Sequence, residues 1–335
     1  MIEQLAEEVW YGRRPISYLL RALLAPLSLL YCLLVAVRRL GYRSGLLYSR
    51  RVSLPVIVVG NITVGGTGKT PLVIALIRLL QQQGFRPAVL SRGYGREDEQ
   101  KTLRVDIDGS PAESGDEPLL IARESSVPVY VAADRIAAAE QAILDRECDI
   151  LISDDGLQHY QLQRNIEIAV IDGERQLGNR LCLPAGPLRE QPSRLEEVDL
   201  VVVNGESMQL QPQQLYKLGS GERRGLDSLA GESVHAVAGI GNPERFFTML
   251  SEAGVVVIPH PFPDHHQYND GDFVSLNGEA NPLPILMTEK DAVKCERLVG
   301  KIAQDIWVVP VTAVLGDALK TLLAEKIEGV KDNVG

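Results

Sequence analysis

Residues 52–84, VSLPVIVVGNITVGGTGKTPLVIALIRLLQQQG, decide the fold. A short β-branched run from Pro55 to Val59 reads as a buried strand, a glycine-rich turn follows, and apolar residues then recur at helical spacing to Gln83. Strand, glycine-rich loop and helix in that order form a phosphate-binding loop. Gly65, Gly66, Thr67 and Gly68 let backbone N–H groups close around phosphate oxygens, Lys69 adds a point charge, and Thr70 offers a hydroxyl to magnesium at the helix N-terminus. The usual pattern has a glycine five residues before Gly68, where this chain has Thr63, so Gly60 and Gly65 are left to make the turns.

A second motif is CDILISDDGLQH, residues 148–159. Its apolar run, Ile150 to Ile152, ends in Asp154 and Asp155, where a P-loop protein places the carboxylates that hold magnesium. Between the motifs, Ala88–Leu90 and Pro128–Val131 read as strands, and Glu117–Arg123 and Arg135–Arg146 as helices. Such repeated β-α units build a P-loop NTPase-like, mostly parallel sheet flanked by helices, with ligands at the carboxyl ends of the strands. SRGYGR (91–96) and the pair Asp134 and Arg135 each follow a strand and fall on that face.

The 335-residue chain is 45% hydrophobic and 23% charged, which suits about two ordinary domains and excludes wholesale disorder. A net charge of −10 argues against nucleic acid as the partner of the general surface. Cys32, Cys148, Cys182 and Cys295 form no C-x-x-C pair, so neither a disulfide framework nor a zinc ribbon is expected. Charge is unevenly placed: residues 1–51 carry eight arginines against three glutamates. Within them, Ile16–Val37 reads ISYLLRALLAPLSLLYCLLVAV with Arg21 as its single charge. Its uncharged part, Ala22–Val37, is 16 residues, short of the ~20 that span a bilayer, and arginines flank both ends. A helix lying in one leaflet, its arginines among anionic head groups, fits this pattern. The alternative is a buried helical hairpin broken at Pro26.

Leu200–Val203 reads as a further strand, and the glutamine-rich Glu206–Gly225 as a solvent-exposed excursion near which the domain changes. The expected division is a membrane-associated helical segment (1–51), a P-loop domain (52–205) and a smaller α/β domain (206–335). In the last, Val234–Ala238, Val255–Ile258, Ile285–Met287 and Ile306–Val309 read as strands and Gly316–Glu325 as a terminal helix. Asn242 reads as the cap of a helix running to Ala253, with Pro243 at its first position. In TEKDAVK (288–294), Thr288 reads as a cap with Asp291 three residues on. The same Thr288–Asp291 superficially matches a guanine motif, although Glu289 interrupts it. That match keeps open a membrane-associated P-loop NTPase acting as a nucleotide switch.

GNITVGGTGKTP (60–71), SRGYGR (91–96), SGDEPLL (114–120), ISDDGLQH (152–159), LPAGPLRE (183–190), FPDHHQY (262–268) and TEKDAVK (288–294), with the apolar N-terminal segment, resemble the tetraacyldisaccharide 4'-kinase family over most of the chain. The resemblance implies a membrane-associated kinase on the cytoplasmic face of a bacterial inner membrane. Its reaction would carry the γ-phosphate of ATP to the 4'-hydroxyl of tetraacyldisaccharide 1-phosphate, giving lipid IVA in lipid A biosynthesis. The implied cofactors are ATP and Mg2+; the implied partners are the lipid and the membrane surface, with no nucleic acid and no obligate protein partner. The family pattern assigns the base to the acid of GDE, here Asp116, supported by the first histidine of DHH, here His265. Lys69, with Mg2+ held by Thr70, Asp154 and Asp155, would neutralise the phosphates. Glu117, Gln158, Arg92, Tyr94, Arg135 and Arg189 form a second tier around metal, phosphate and substrate. Outside that pattern, Asp116 is a helix N-terminal acid, His265 a loop histidine and each arginine a surface charge.

Overall fold

The structure, a computed structural model, describes residues 2–274, 276, 283–302 and 304–331. Its strands are β1 (Val56–Gly60), β2 (Pro87–Ser91), β3 (Leu103–Arg104), β4 (Val129–Val131), β5 (Ile150–Asp154), β6 (Ile166–Asp172), β7 (Leu200–Asn204), β8 (Met208–Pro212), β9 (Leu215–Lys217), β10 (Arg223–Arg224), β11 (Ser233–Ala238), β12 (Val256–Pro261), β13 (Ile285–Thr288), β14 (Ile306–Val309) and β15 (Val311–Leu315). The helices are α1 (Ile2–Tyr11), α2 (Pro15–Arg43), α3 (Lys69–Gln82), α4 (Pro111–Ser114), α5 (Asp116–Ser125), α6 (Arg135–Asp145), α7 (Pro243–Glu252), α8 (Asp270–Val274), α9 (Glu289–Cys295) and α10 (Asp317–Lys331).

A nine-stranded sheet runs β15-β8-β7-β6-β1-β5-β2-β4-β3, and a six-stranded sheet runs β10-β9-β14-β13-β11-β12. The centre of the large sheet is parallel; β3 and β15 are its antiparallel edges. Parallel strands covered on both faces are apolar throughout, which is why β1 shows no polar alternation. Ile57 and Val59 pack with Leu72, Leu76 and Leu80 of α3 on one face, whereas Val56 and Val58 pack with Ala138, Ala139 and Ala142 of α6 on the other.

The two sheets do not divide at residue 205. β8 and β15 both belong to the large sheet, and Leu319, Leu323 and Ile327 of α10 join its core. The glutamine-rich stretch is three short strands, not an excursion. In β8, MQLQP, Met208 is buried and Leu210 half-buried while Gln209 and Gln211 are exposed, so the glutamines are the outward row of a period-2 strand. The chain passes between the lobes beside Gln213 and again at Pro310, and the Gln213 N–H donates to the Pro310 carbonyl at 2.8 Å.

α2 is one unbroken helix through Pro26, which overturns the hairpin alternative. Its buried residues are Ser17 and Ser28, while Leu19, Leu23, Leu27, Leu30 and Leu34 are all more than half exposed. This inverts a water-soluble amphipathic helix: small and polar residues face the protein and leucines face outward. Ser28 Oγ donates to the Cys182 carbonyl at 2.7 Å, and Tyr31 Oη to the Arg189 carbonyl at 3.1 Å, fastening α2 to the LPAGPLRE loop.

Candidate active site

At the carboxyl ends of β1 and β5 the large sheet opens into a cavity of about 1420 Å³ between the lobes. Gly65 (φ 106°) and Gly68 (φ 92°) take the left-handed conformation that turns β1 into α3, with Gly68 at the helix N-cap. Lys69 and Thr70, the first helical residues, line the cavity with Gly65, Gly66, Thr67 and Gly68. The loop is buttressed from two directions. Asn204, at the end of β7, donates to the Thr67 carbonyl at 3.2 Å, and Gly241 of the smaller lobe lies against Gly65 and Gly66.

Asp154 and Asp155 end β5 beside this loop. Burial pushes Asp154 up to about 7, with Glu117 and Asp155 adding to the shift, and its Oδ1 has no hydrogen-bond partner among the described residues. Asp155 goes the other way: against burial, Lys69 at 3.5 Å and Arg189 at 3.1 Å hold it well below the carboxylate range. Asp155 is also left-handed (φ 49°), a strained turn of the kind that gathers at functional sites. Arg135 is buried next to both acids, its Nη1 donating to the Ala132 carbonyl, and burial lowers it to about 10.

Facing them, Asp116 opens α5 from Gly115, whose φ of 93° only glycine tolerates readily. His265 Nδ1 reaches across from the smaller lobe to Asp116 Oδ2 at 3.0 Å and Oδ1 at 3.2 Å. His265 also has a positive φ, 60°, and its backbone N–H donates to Asp264 Oδ1. Although burial opposes it, the hydrogen bond to His265, with Lys290 and Lys294, draws Asp116 down to about 2. The same hydrogen bond raises His265 in spite of its burial.

Of the second-tier residues, Arg189 pairs with Asp155, Tyr94 packs its ring 5.1 Å from that of His265, and Arg92 stands at the rim with Glu99 at 3.9 Å. Glu117 meets Lys290 at 2.8 Å. Gln158 does not line the cavity; its amide donates to the Asn61 carbonyl at 3.1 Å and to Glu190 at 2.7 Å, bracing the loop from behind. The guanine-like TEKD stretch caps α9 through Thr288 and lies beside Asp116 and Glu117, so its lysine serves the acid cluster and not a base pocket.

A family model described as tetraacyldisaccharide-1-P 4'-kinase matches residues 20–328. The chain belongs to that family. A tetraacyldisaccharide 4'-kinase of Methylobacillus flagellatus is 48% identical over 330 residues, 96% of this chain and 94% of its own length. One from Alkalilimnicola ehrlichii is 49% identical over 309 residues, 90% of each. Among solved structures, LpxK of Aquifex aeolicus in complex with ATP superposes with a TM-score of 0.75 at 29% identity, covering 92% of this chain and 99% of that one.

Several residues of this kinase's site escaped the sequence reading. Asp172, at the end of β6, accepts from Arg245 at 3.0 Å and from Asn242 at 3.4 Å, tying the smaller lobe down beside the phosphate loop. Asn242 stands at the N-cap of α7 as expected, but its side chain is spent on Asp172 and caps nothing. Arg175 bridges Glu7 of α1 and the Gly241 carbonyl at 3.0 and 2.9 Å. Asp172 ends β6 and Arg175 stands three residues beyond it, and that place at a strand's carboxyl end was the one available signal for these two.

Proposed function

We propose that this chain, an ATP-dependent tetraacyldisaccharide 4'-kinase of lipid A biosynthesis by family, performs the transfer with Asp116 and His265 handling the proton and with Lys69, Thr70, Asp154 and Asp155 at the phosphates. The observation that carries the reading is the pairing of Asp116 with His265 across the same cavity that the phosphate loop and the two acids line.

Phosphoryl transfer asks little covalent work of a protein; positioning and charge do most of it. The sugar 4'-oxygen attacks the γ-phosphorus, the bond from that phosphorus to the β–γ bridging oxygen breaks, and the hydroxyl proton passes to the Asp116–His265 pair. Asp116 at about 2 is a weak base by itself, whereas the imidazole beside it is raised, so carboxylate and imidazole accept the proton as a unit. Backbone N–H groups of Gly65–Gly68 and the Lys69 ammonium cradle the phosphates.

The donor set fits Mg2+. Asp154 and Asp155 are adjacent hard oxygen ligands with the Thr70 hydroxyl on the facing helix, and Asp154 Oδ1 is buried without a partner, a costly arrangement that a cation relieves. Such sites use one or two carboxylates and take their remaining ligands from phosphate and water, in keeping with the absence of larger ligand clusters among the described residues. Bound there, magnesium supplies charge neutralisation between the phosphate groups.

The outward leucines of α2, with Arg13, Arg14, Arg38 and Arg43, suit a helix resting on the inner membrane at its cytoplasmic face, where ATP is available. Tyr31 links that helix directly to Arg189 and so to Asp155, which supports a substrate whose acyl chains lie toward α2 and whose sugar faces the phosphates. The test is transfer from γ-labelled ATP with Mg2+ to tetraacyldisaccharide 1-phosphate in mixed micelles. A bis-phosphorylated lipid is expected from the wild type, with a loss of about 10²- to 10⁴-fold in Asp116→Ala and of about 10²- to 10³-fold in Lys69→Ala. Near-full turnover by Asp116→Ala would remove it from the mechanism.

A further inference from the structure

Lys290 occupies the middle of the acid cluster. Its Nζ lies 2.8 Å from Glu117 Oε1 of the larger lobe, 3.0 Å from Asp264 Oδ1 of the smaller lobe, and 3.4 Å from His265 Nε2. Only 14% of its side chain is exposed, so these contacts form largely out of water. An ammonium has donors and no acceptor, so its approach to Nε2 requires the lone pair on that nitrogen and the proton on Nδ1, the nitrogen that faces Asp116. We propose that Lys290 is a positioning residue for this reaction: from the Nε2 side it selects the Nδ1–H tautomer of His265 that Asp116 requires, and by bridging Glu117 and Asp264 it holds the two lobes in the arrangement that forms the dyad.

His265 is faced by Asp116 from α5, by Lys290 from α9, by Asp264 from its own loop and by the Tyr94 ring, with Lys294 of α9 behind Asp116 at 3.9 Å. Asp116 and Asp264 favour the imidazolium; the Lys290 charge opposes it. Lys290 itself stays charged, because Glu117 and Asp264 outweigh the burial that would discharge it. Lys290 thereby offsets part of the carboxylates' pull toward the imidazolium, while the Nδ1–H bond holds the Asp116 carboxylate in place to receive the hydroxyl proton. TEKD is more than a cap: Thr288 and Asp291 close the first turn of α9, and that turn aims the lysine between them at the dyad.

The inference rests on the dyad reading, so the experiment carries both. The full chain in mixed micelles is assayed as wild type, Asp116→Ala, His265→Ala, Lys290→Met and Lys290→Arg, recording kcat and KM for ATP from pH 5.5 to 9. Lys290→Met is expected to lower kcat by about 10- to 100-fold with KM for ATP changed less than about threefold. The acidic limb of its kcat profile should move to higher pH by about half a unit or more, because a cation beside the imidazole has been removed. Lys290→Arg keeps the charge and should return most of kcat and the wild-type limb. In ¹⁵N-histidine-labelled protein, the His265 resonances should report a proton on Nδ1 in the wild type and a mixed tautomer in Lys290→Met. An unmoved acidic limb and an unchanged tautomer in a folded Lys290→Met overturn the proposal, as does a loss confined to KM for ATP, which would make Lys290 a phosphate contact. If Asp116→Ala and His265→Ala keep near-full turnover, the dyad falls, whatever Lys290 does.

Discussion

The contact between Gly241 and the phosphate loop allows a sharp test of how tightly the lobes must close. A Cβ at position 241 would stand 2.9 Å from the Gly65 carbonyl carbon and 3.0 Å from Gly66 Cα, with Gly66 N nearer still. Carbon atoms in good contact sit roughly 3.5–4.0 Å apart, and every atom met here is backbone, so alanine must push the loops apart by roughly 1 Å. Gly241 lies outside the left-handed region, so the substitution strains no dihedral of its own and the contact is the whole effect. The lobe that carries Gly241 also carries His265, and a displacement of that size loosens the 3.0 Å contact with Asp116 and the seat of the γ-phosphate. Misplacement by about 1 Å typically costs on the order of 10²-fold in rate. Gly241→Ala should therefore lose about that factor in kcat while remaining folded, since the clash lies at the cleft between the lobes and leaves the packed side chains of each sheet in place. Steady-state transfer of labelled phosphate, read beside a thermal melt, decides the matter. A variant within twofold of wild-type kcat would mean that this close approach is not part of the working enzyme.

Two further expectations concern stability and location. The folded-state pKa of His265 is raised by Asp116, so the pair stabilises the fold fully below the unfolded value near 6.5 and loses that contribution as pH rises through the folded value. His265→Ala should lower Tm more at pH 6 than at pH 9, and an equal drop at both would show that the charged contact adds nothing. On α2, Leu23 and Leu30 are 73% and 55% exposed, so Leu23→Glu and Leu30→Glu together should leave Tm unchanged while sharply reducing flotation with vesicles containing anionic lipid. Retained flotation would move the membrane contact elsewhere on the molecule.

Much of the larger lobe was legible from local pattern. The β-branched run into β1, the glycine loop and the helical spacing of α3 are short-range signals, and the runs Ala88–Leu90 and Ile150–Ile152, which the structure extends to Ser91 and Asp154, followed from the same local pattern. The segment that misled was Glu206–Gly225, where composition spoke louder than the alternation in MQLQP. Nothing local says that Val311–Leu315 pairs with Met208–Gln211 and Pro212, because the strands of the smaller sheet lie between the two partners in the sequence. Asp116 and His265 were named through motifs that resemble the family's, yet each by itself has an ordinary reading, and the contact that gives them chemistry joins positions 149 residues apart.

The amino-acid sequence by itself determined that this chain binds phosphate on a parallel α/β sheet, that an apolar basic segment precedes it, and that two acids end the strand beside the loop. These are properties of neighbouring residues: side-chain periodicity, glycine dihedrals and the charge of a few consecutive positions. Only the tertiary structure decided which face of a leucine-rich helix turns outward, that Lys290 sits between carboxylates of both lobes, and that Asp154 is pushed up while adjacent Asp155 is held down. Those outcomes depend on burial and on charges brought together across the cleft, and neither exists until distant segments have packed.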